Sequence, residues 1–225
     1  MPSGTPDRFS RQFISTIVAI VSKNISPMIL YYVHDPMCSW CWAYRPTLES
    51  LRSQLPPGVQ WRNLLGGLAP DSDEPMPEAT RQMVMGHWQH IQDTLGTGFN
   101  FEFWSRCKPR RSTYMACRAV LAAAAQDAEE DMILSIQKAY YMRAMNPSDE
   151  EVLEQLAVEN SLDVEQFGID LRSPATEAKL QLQISRARSW PVSGFPSLVL
   201  DTGQGMRALP LDYRSAHTTL EAISA

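Results

Sequence analysis

The feature that most constrains this chain is a C-x-x-C pair, Cys38 and Cys41, set between a strand-like run and a helical pattern. Met28-Ile-Leu-Tyr-Tyr-Val-His34 is rich in β-branched and aromatic residues and stops at Asp35-Pro36. After the cysteines a helical pattern runs to about Leu55, with Pro46 expected to kink it and Pro56-Pro57-Gly58 expected to end it. Val59 to Leu65 reads as a second strand, closed by Gly66-Gly67. Strand, crossover helix and strand in this order make a β–α–β unit, which demands a parallel pair.

A C-x-x-C in this context points to thiol–disulfide chemistry. Cysteines one helical turn apart have Cα atoms roughly 5–6 Å from each other, within reach of a disulfide. At a helix start, unpaired N–H groups and the helix dipole favour an anion, so Cys38 is the expected thiolate nucleophile. Cys41, a turn deeper, is the expected resolving thiol that attacks a mixed disulfide and releases substrate. The competing readings are half of a zinc site and two idle buried cysteines. Zinc needs two further ligands, and the remaining cysteines, Cys107 and Cys117, form no second close pair; no metal is expected. Four cysteines are also too few for a disulfide scaffold in a chain of 225 residues.

Farther along, residues 71–190 carry helical patterns and no convincing strand. Helices are expected from about Glu78 to Leu95, Cys117 to Glu130, Asp131 to Met145, and Thr176 to Ser189, with another capped by Ser148 and a Ser148/Glu151 capping box. Strand character returns at Ser197–Leu200 and about Gly205–Leu209, and Asp212 to Ala225 reads as a closing helix. The fold class expected is therefore α/β: a thioredoxin-like fold, discontinuous over residues 28–70 and 191–225, with a large all-helical insertion at 71–190. Residues 1–27 read as an N-terminal extension. Their apolar stretch, Phe13 to Val21, is too short to span a bilayer and precedes no small-x-small cleavage pattern, so cytoplasmic residence is expected.

Three segments resemble the DsbA-like thioredoxin family, most of all its FrnE-like protein-disulfide isomerase branch. They are Asp35-Pro-Met-Cys-Ser-Trp-Cys-Trp42, Ala116-Cys-Arg-Ala-Val-Leu-Ala-Ala123 and Gly194-Phe-Pro-Ser-Leu-Val199. The resemblance covers the chain from about Met28 to its C-terminus. It implies a helical insert between the halves of the fold and a cis-proline, Pro196, facing the cysteine pair. Phe195, Pro196, Trp40 and Trp42 are then candidate substrate-binding residues, although aromatic side chains beside the motif serve equally to pack the helix onto the sheet. His34, at the end of the first strand, is a candidate modulator of the thiolate, set against a plain strand-end histidine. Cys117 is expected as a small hydrophobe of the insert and Cys107 as an inert loop thiol. His87 and His90 are expected on a helix surface.

The expected activity is exchange of disulfides with protein thiols or low-molecular-weight thiols, without a cofactor beyond the Cys38–Cys41 pair and with glutathione as a candidate co-substrate. One alternative is a glutathione-dependent transferase or isomerase of the kappa-class or hydroxychromene carboxylate isomerase type. Those relatives carry serine at the position of Cys38, which this chain does not. The other is a binding or chaperone module with incidental cysteines. A net charge of −5, with Lys108-Pro-Arg-Arg111 as its one basic knot, argues against nucleic acid, and nothing calls for a membrane.

Overall fold

The β-branched and aromatic run forms strand β1, Met28–His34, and Ser39–Ser53 follows as helix α1 before β2, Val59–Leu65. The computed structural model describes residues 28–225, so the expected extension at 1–27 lies outside the described residues. The helical block then runs through α2 (Glu78–Leu95), α3 (Phe103–Arg106), α4 (Tyr114–Ala124), α5 (Glu129–Tyr141), α6 (Glu150–Glu159), α7 (Val164–Leu171) and α8 (Pro174–Ser189). Strands β3 (Ser197–Asp201) and β4 (Met206–Leu209) and helix α9 (His217–Ser224) complete the chain. Among the described residues, the stretch 71–190 holds no strand, only an isolated bridge between Pro75 and Arg110.

The four strands form one sheet in the order β2-β1-β3-β4. β1 runs parallel to β2, with Met28 opposite Val59 and His34 opposite Leu65, as the crossover helix requires. β1 and β3 are antiparallel, Val33 opposite Ser197, which carries the segment before β3 to the same sheet end as the cysteines. Leu30, Tyr32, Leu198 and Leu200 pack one sheet face against Tyr44, Leu48 and Leu51 of α1 and Ile223 of α9. Val33, Leu64 and Val199 cover the other face against Ala187 of α8. The largest core belongs to the helices, around Trp88, Phe103, Ile136 and Tyr141. It also takes in Met37 and Leu65, so the helical block and the sheet end share one apolar core.

Several local expectations shift. α4 ends at Ala124 because Asp127 turns at φ 59°, a left-handed conformation that Asp tolerates better than most residues. Ser148 does not cap the following helix: it is buried, its hydroxyl donates to the Ser112 carbonyl at 2.7 Å, and Asp149 takes the N-cap position instead. α8 starts two residues earlier than expected, since Ser173 accepts the Thr176 N–H at 3.0 Å and Pro174 opens the first turn. α9 starts late because residues 212–216 form a turn, in which the Asp212 carboxylate accepts the Arg214 N–H at 2.8 Å. α1 runs unbroken through Pro46.

Candidate active site

Cys38 occupies the N-cap of α1 with extended backbone angles, φ −84° and ψ 118°. Its N–H donates to the Asp35 carbonyl and its own carbonyl accepts the Trp42 N–H, both at 3.0 Å, closing the turn that launches the helix. The first turn contains no acidic residue to oppose a thiolate there. Cys41 sits one turn in. The two cysteines approach to 3.3 Å as free thiols. Cys38 keeps 6% of its surface exposed and Cys41 none, so Cys38 is the thiol a partner reaches. Burial, and then the hydrogen bond and charge of neighbouring Cys38, push the Cys41 thiol well above its ordinary value. Cys41 is therefore held in its protonated form near pH 7.

The segment before β3 forms the facing wall. The Phe195–Pro196 peptide bond is cis, and the Cys38 Sγ donates to the Phe195 carbonyl at 3.5 Å. The Phe195 ring lies over Gly66 at the end of β2. A Cβ there would stand 2.0 Å from the ring's Cζ, so only glycine permits the approach. Pro196 is buried and Phe195 partly exposed.

Beneath the cysteines lies a carboxylate to which sequence reading assigned no role. Asp35 is fully buried. Its Oδ1 accepts the Met37 N–H at 2.8 Å. Its Oδ2 accepts the Leu68 N–H and the Thr113 hydroxyl, each at 2.7 Å, and the Cys117 thiol at 3.6 Å. The residue thus ties the C-x-x-C turn to the end of β2 and to the start of α4. Desolvation raises its pKa, against the opposing pull of those donors. The only sequence signal was its place inside the motif, directly before Pro36. Cys117, expected as an apolar filler, is buried but aims its thiol at this carboxylate. Cys107 is half-buried and donates to the Ala144 carbonyl at 3.1 Å.

His34 is fully buried, stacked on Tyr32 with ring centroids 4.8 Å apart, and neither ring nitrogen has a hydrogen-bond partner among the described residues. Desolvation, aided by the Arg45 charge, lowers its pKa to about 3, so it is neutral near pH 7 and brings no positive charge to the cysteine pair. Trp40 is half-buried and meets His90 of α2 at 5.9 Å and Tyr213 at 5.3 Å, edge on. Trp42 is held by the helical block: its Nε1 donates to the Gly98 carbonyl at 3.1 Å and its ring stacks on Tyr141 at 5.9 Å. His87 and His90 are exposed.

Comparison with known proteins agrees with this arrangement. The profile of the Thioredoxin family matches residues 31–206. A solved structure from Nitrosomonas europaea, described as a candidate protein disulfide isomerase, superposes with a TM-score of 0.77 at 25% identity, over 88% of this chain and 97% of that one. The cytosolic disulfide reductase DsbM of Pseudomonas aeruginosa gives 0.68 at 25% identity, over 81% of this chain and 89% of its own, and has also been solved with GSH. Among curated proteins, the ClpXP adapter protein SpxH of Bacillus subtilis is 26% identical over 175 residues, 76% of this chain but only 58% of that relative's length. Among the described residues, no helix is long and apolar enough to cross a membrane.

Proposed function

Because the chain belongs to the thioredoxin family, we propose that it is a thiol–disulfide oxidoreductase in which Cys38 attacks and Cys41 resolves. The observation that carries this reading is the contact of the slightly exposed Cys38 thiol with the Phe195 carbonyl, with Cys41 buried directly behind it. The Cys38 thiolate attacks one sulfur of a substrate disulfide. A mixed disulfide forms, and the substrate's other sulfur leaves as a thiolate that takes up a proton. Cys41 then loses its proton and attacks Cys38 Sγ, which frees the second substrate thiol and leaves a Cys38–Cys41 disulfide. Two equivalents of a low-molecular-weight thiol, of which glutathione is an example, return the pair to dithiol and emerge as their own disulfide. With a misfolded protein as substrate, release without net oxidation gives isomerisation at the same two sulfurs. Cytoplasmic residence fits this reductive cycle, as does the description of the DsbM relative as cytosolic.

The test is a pair of substitutions. Cys41→Ser should attack but fail to release, so mixed disulfides with substrate or glutathione should accumulate. Cys38→Ser should accumulate none and lose insulin reduction. Full turnover by Cys38→Ser would overturn the reading. Likeness to SpxH favours a second one, in which the chain presents a bound protein to a protease. Under that reading partner delivery survives Cys38→Ser.

A further inference from the structure

A cavity of about 660 Å³ opens along α1 from Trp42, the residue after Cys41, onward, where α1, the C-terminal end of α2, α5 and the loop before α9 converge. Its walls are aromatic: Trp42, next in sequence to Cys41, and Tyr213, whose ring meets the edge of Trp40 between the two cysteines. Its charges are not balanced. Arg45, Lys138 and Arg214 line it against a single carboxylate, Glu49. This stands out in a chain whose net charge is −5.

The three cations differ in how they are held. Arg45 is largely buried. Its Nη1 donates to Gln137 at 3.2 Å and its Nε lies 3.0 Å from Glu49, leaving its Nη2 with no ion-pair partner among the described residues. Arg214 anchors one end through the Thr94 carbonyl at 3.1 Å. Lys138, exposed on α5, has no ion pair or side-chain hydrogen bond among the described residues. One anion cannot neutralise three cations, and a concave wall concentrates their field.

We infer that this groove receives an acidic segment of the substrate polypeptide, flanking the disulfide presented to Cys38. The inference deepens the dithiol reading and rests on it: the groove selects the substrate, and the cysteines act on it. Aromatic walls accept the apolar parts of the segment, and the cations pair with its Asp or Glu carboxylates. Attraction between charges of this kind mainly raises the rate of encounter and sets preference among partners, and salt screens it.

The experiment has a catalytic arm and a binding arm, both with the full chain. Turnover is measured on two peptide disulfides of equal length, one flanked by glutamates and one by uncharged residues. The wild type should prefer the acidic peptide by roughly tenfold in kcat/KM, and about 0.5 M salt should erase most of that preference. Lys138→Glu should cut the ratio between the two peptides about fivefold or more, whereas Lys179→Glu, which makes the same charge change on α8 outside the groove's lining, should leave it where it was. In the binding arm, a fluorescein-labelled, cysteine-free glutamate-rich peptide should bind the wild type with salt-sensitive anisotropy and lose affinity in Lys138→Glu. Equal handling of acidic and uncharged peptides, or identical effects of Lys138→Glu and Lys179→Glu, would overturn the inference while leaving the dithiol reading intact. If no peptide is turned over in a Cys38-dependent way, the dithiol reading fails, and the binding arm still decides the groove.

Discussion

Replacing Gly66 by alanine tests whether the wall facing the cysteines is held in place by packing. The added Cβ would lie 2.0 and 2.1 Å from two atoms of the Phe195 ring and 2.9 Å from a third. Carbon atoms in contact prefer about 3.6 Å, so the ring must withdraw by roughly 1.6 Å. Gly66 is not among the residues with positive φ, so alanine meets no backbone strain there, and it lowers the entropy of the unfolded chain by the equivalent of about 0.5 kcal/mol. Overpacking typically costs about 1–3 kcal/mol, and Phe195 is partly exposed and can swing outward, which places the cost near the lower end. The net expectation is a loss of about 1 kcal/mol in urea unfolding. Exchange activity should fall by more than the stability loss only where the Phe195 backbone shifts as well, since its carbonyl contacts Cys38; a ring that swings out alone leaves that contact in place. Trimming the ring should relieve the clash. In a Phe195→Ala background, Gly66→Ala should cost nothing or stabilise slightly, so the double-mutant cycle should show a favourable coupling of about 1 kcal/mol. Strict additivity of the two substitutions would refute the argument.

His34 and Asp35 should pull stability in opposite directions with pH. The folded pKa of His34 is lowered from 6.5 to about 3, so the unfolded chain binds the extra proton, and stability falls as pH drops from about 6.5 towards 3. His34→Leu should remove roughly 1 kcal/mol per pH unit of that acid sensitivity in chemical unfolding; an unchanged slope would mean that the ring is not held neutral. The folded pKa of Asp35 is raised above 3.8, so its contribution is fully present below that pH and is lost as pH rises through the folded value. Asp35→Asn should flatten this loss. Because the amide nitrogen cannot accept both sets of donors, it should also cost about 1–3 kcal/mol at low pH, where the native carboxyl is protonated and least penalised. Stability that is independent of both pH and the substitution would remove Asp35 as a link. Alkylation of the reduced protein should modify Cys38 before Cys41, since burial keeps Cys41 protonated; faster labelling of Cys41 would reverse the assigned roles.

The chain's local chemistry settled much on its own. Residue types along Met28–His34 and Val59–Leu65, separated by a helical run, compel a parallel pair, because a single crossover helix cannot join antiparallel neighbours in so short a space. The C-x-x-C at that helix start placed both sulfurs one turn apart, since helical periodicity is a property of nearest neighbours. The tertiary structure decided what lies around them. Phe195 meets Gly66, and Asp35 meets Leu68, Thr113 and Cys117, across separations that no local pattern encodes. The same holds for burial. His34, at a strand end, reads as a candidate modulator of the thiolate, yet it is fully buried and its pKa is lowered so far that it carries no charge near pH 7. Desolvation depends on every element packed around a group, so which titratable residues can act on the thiols emerges only when the whole chain has closed over them.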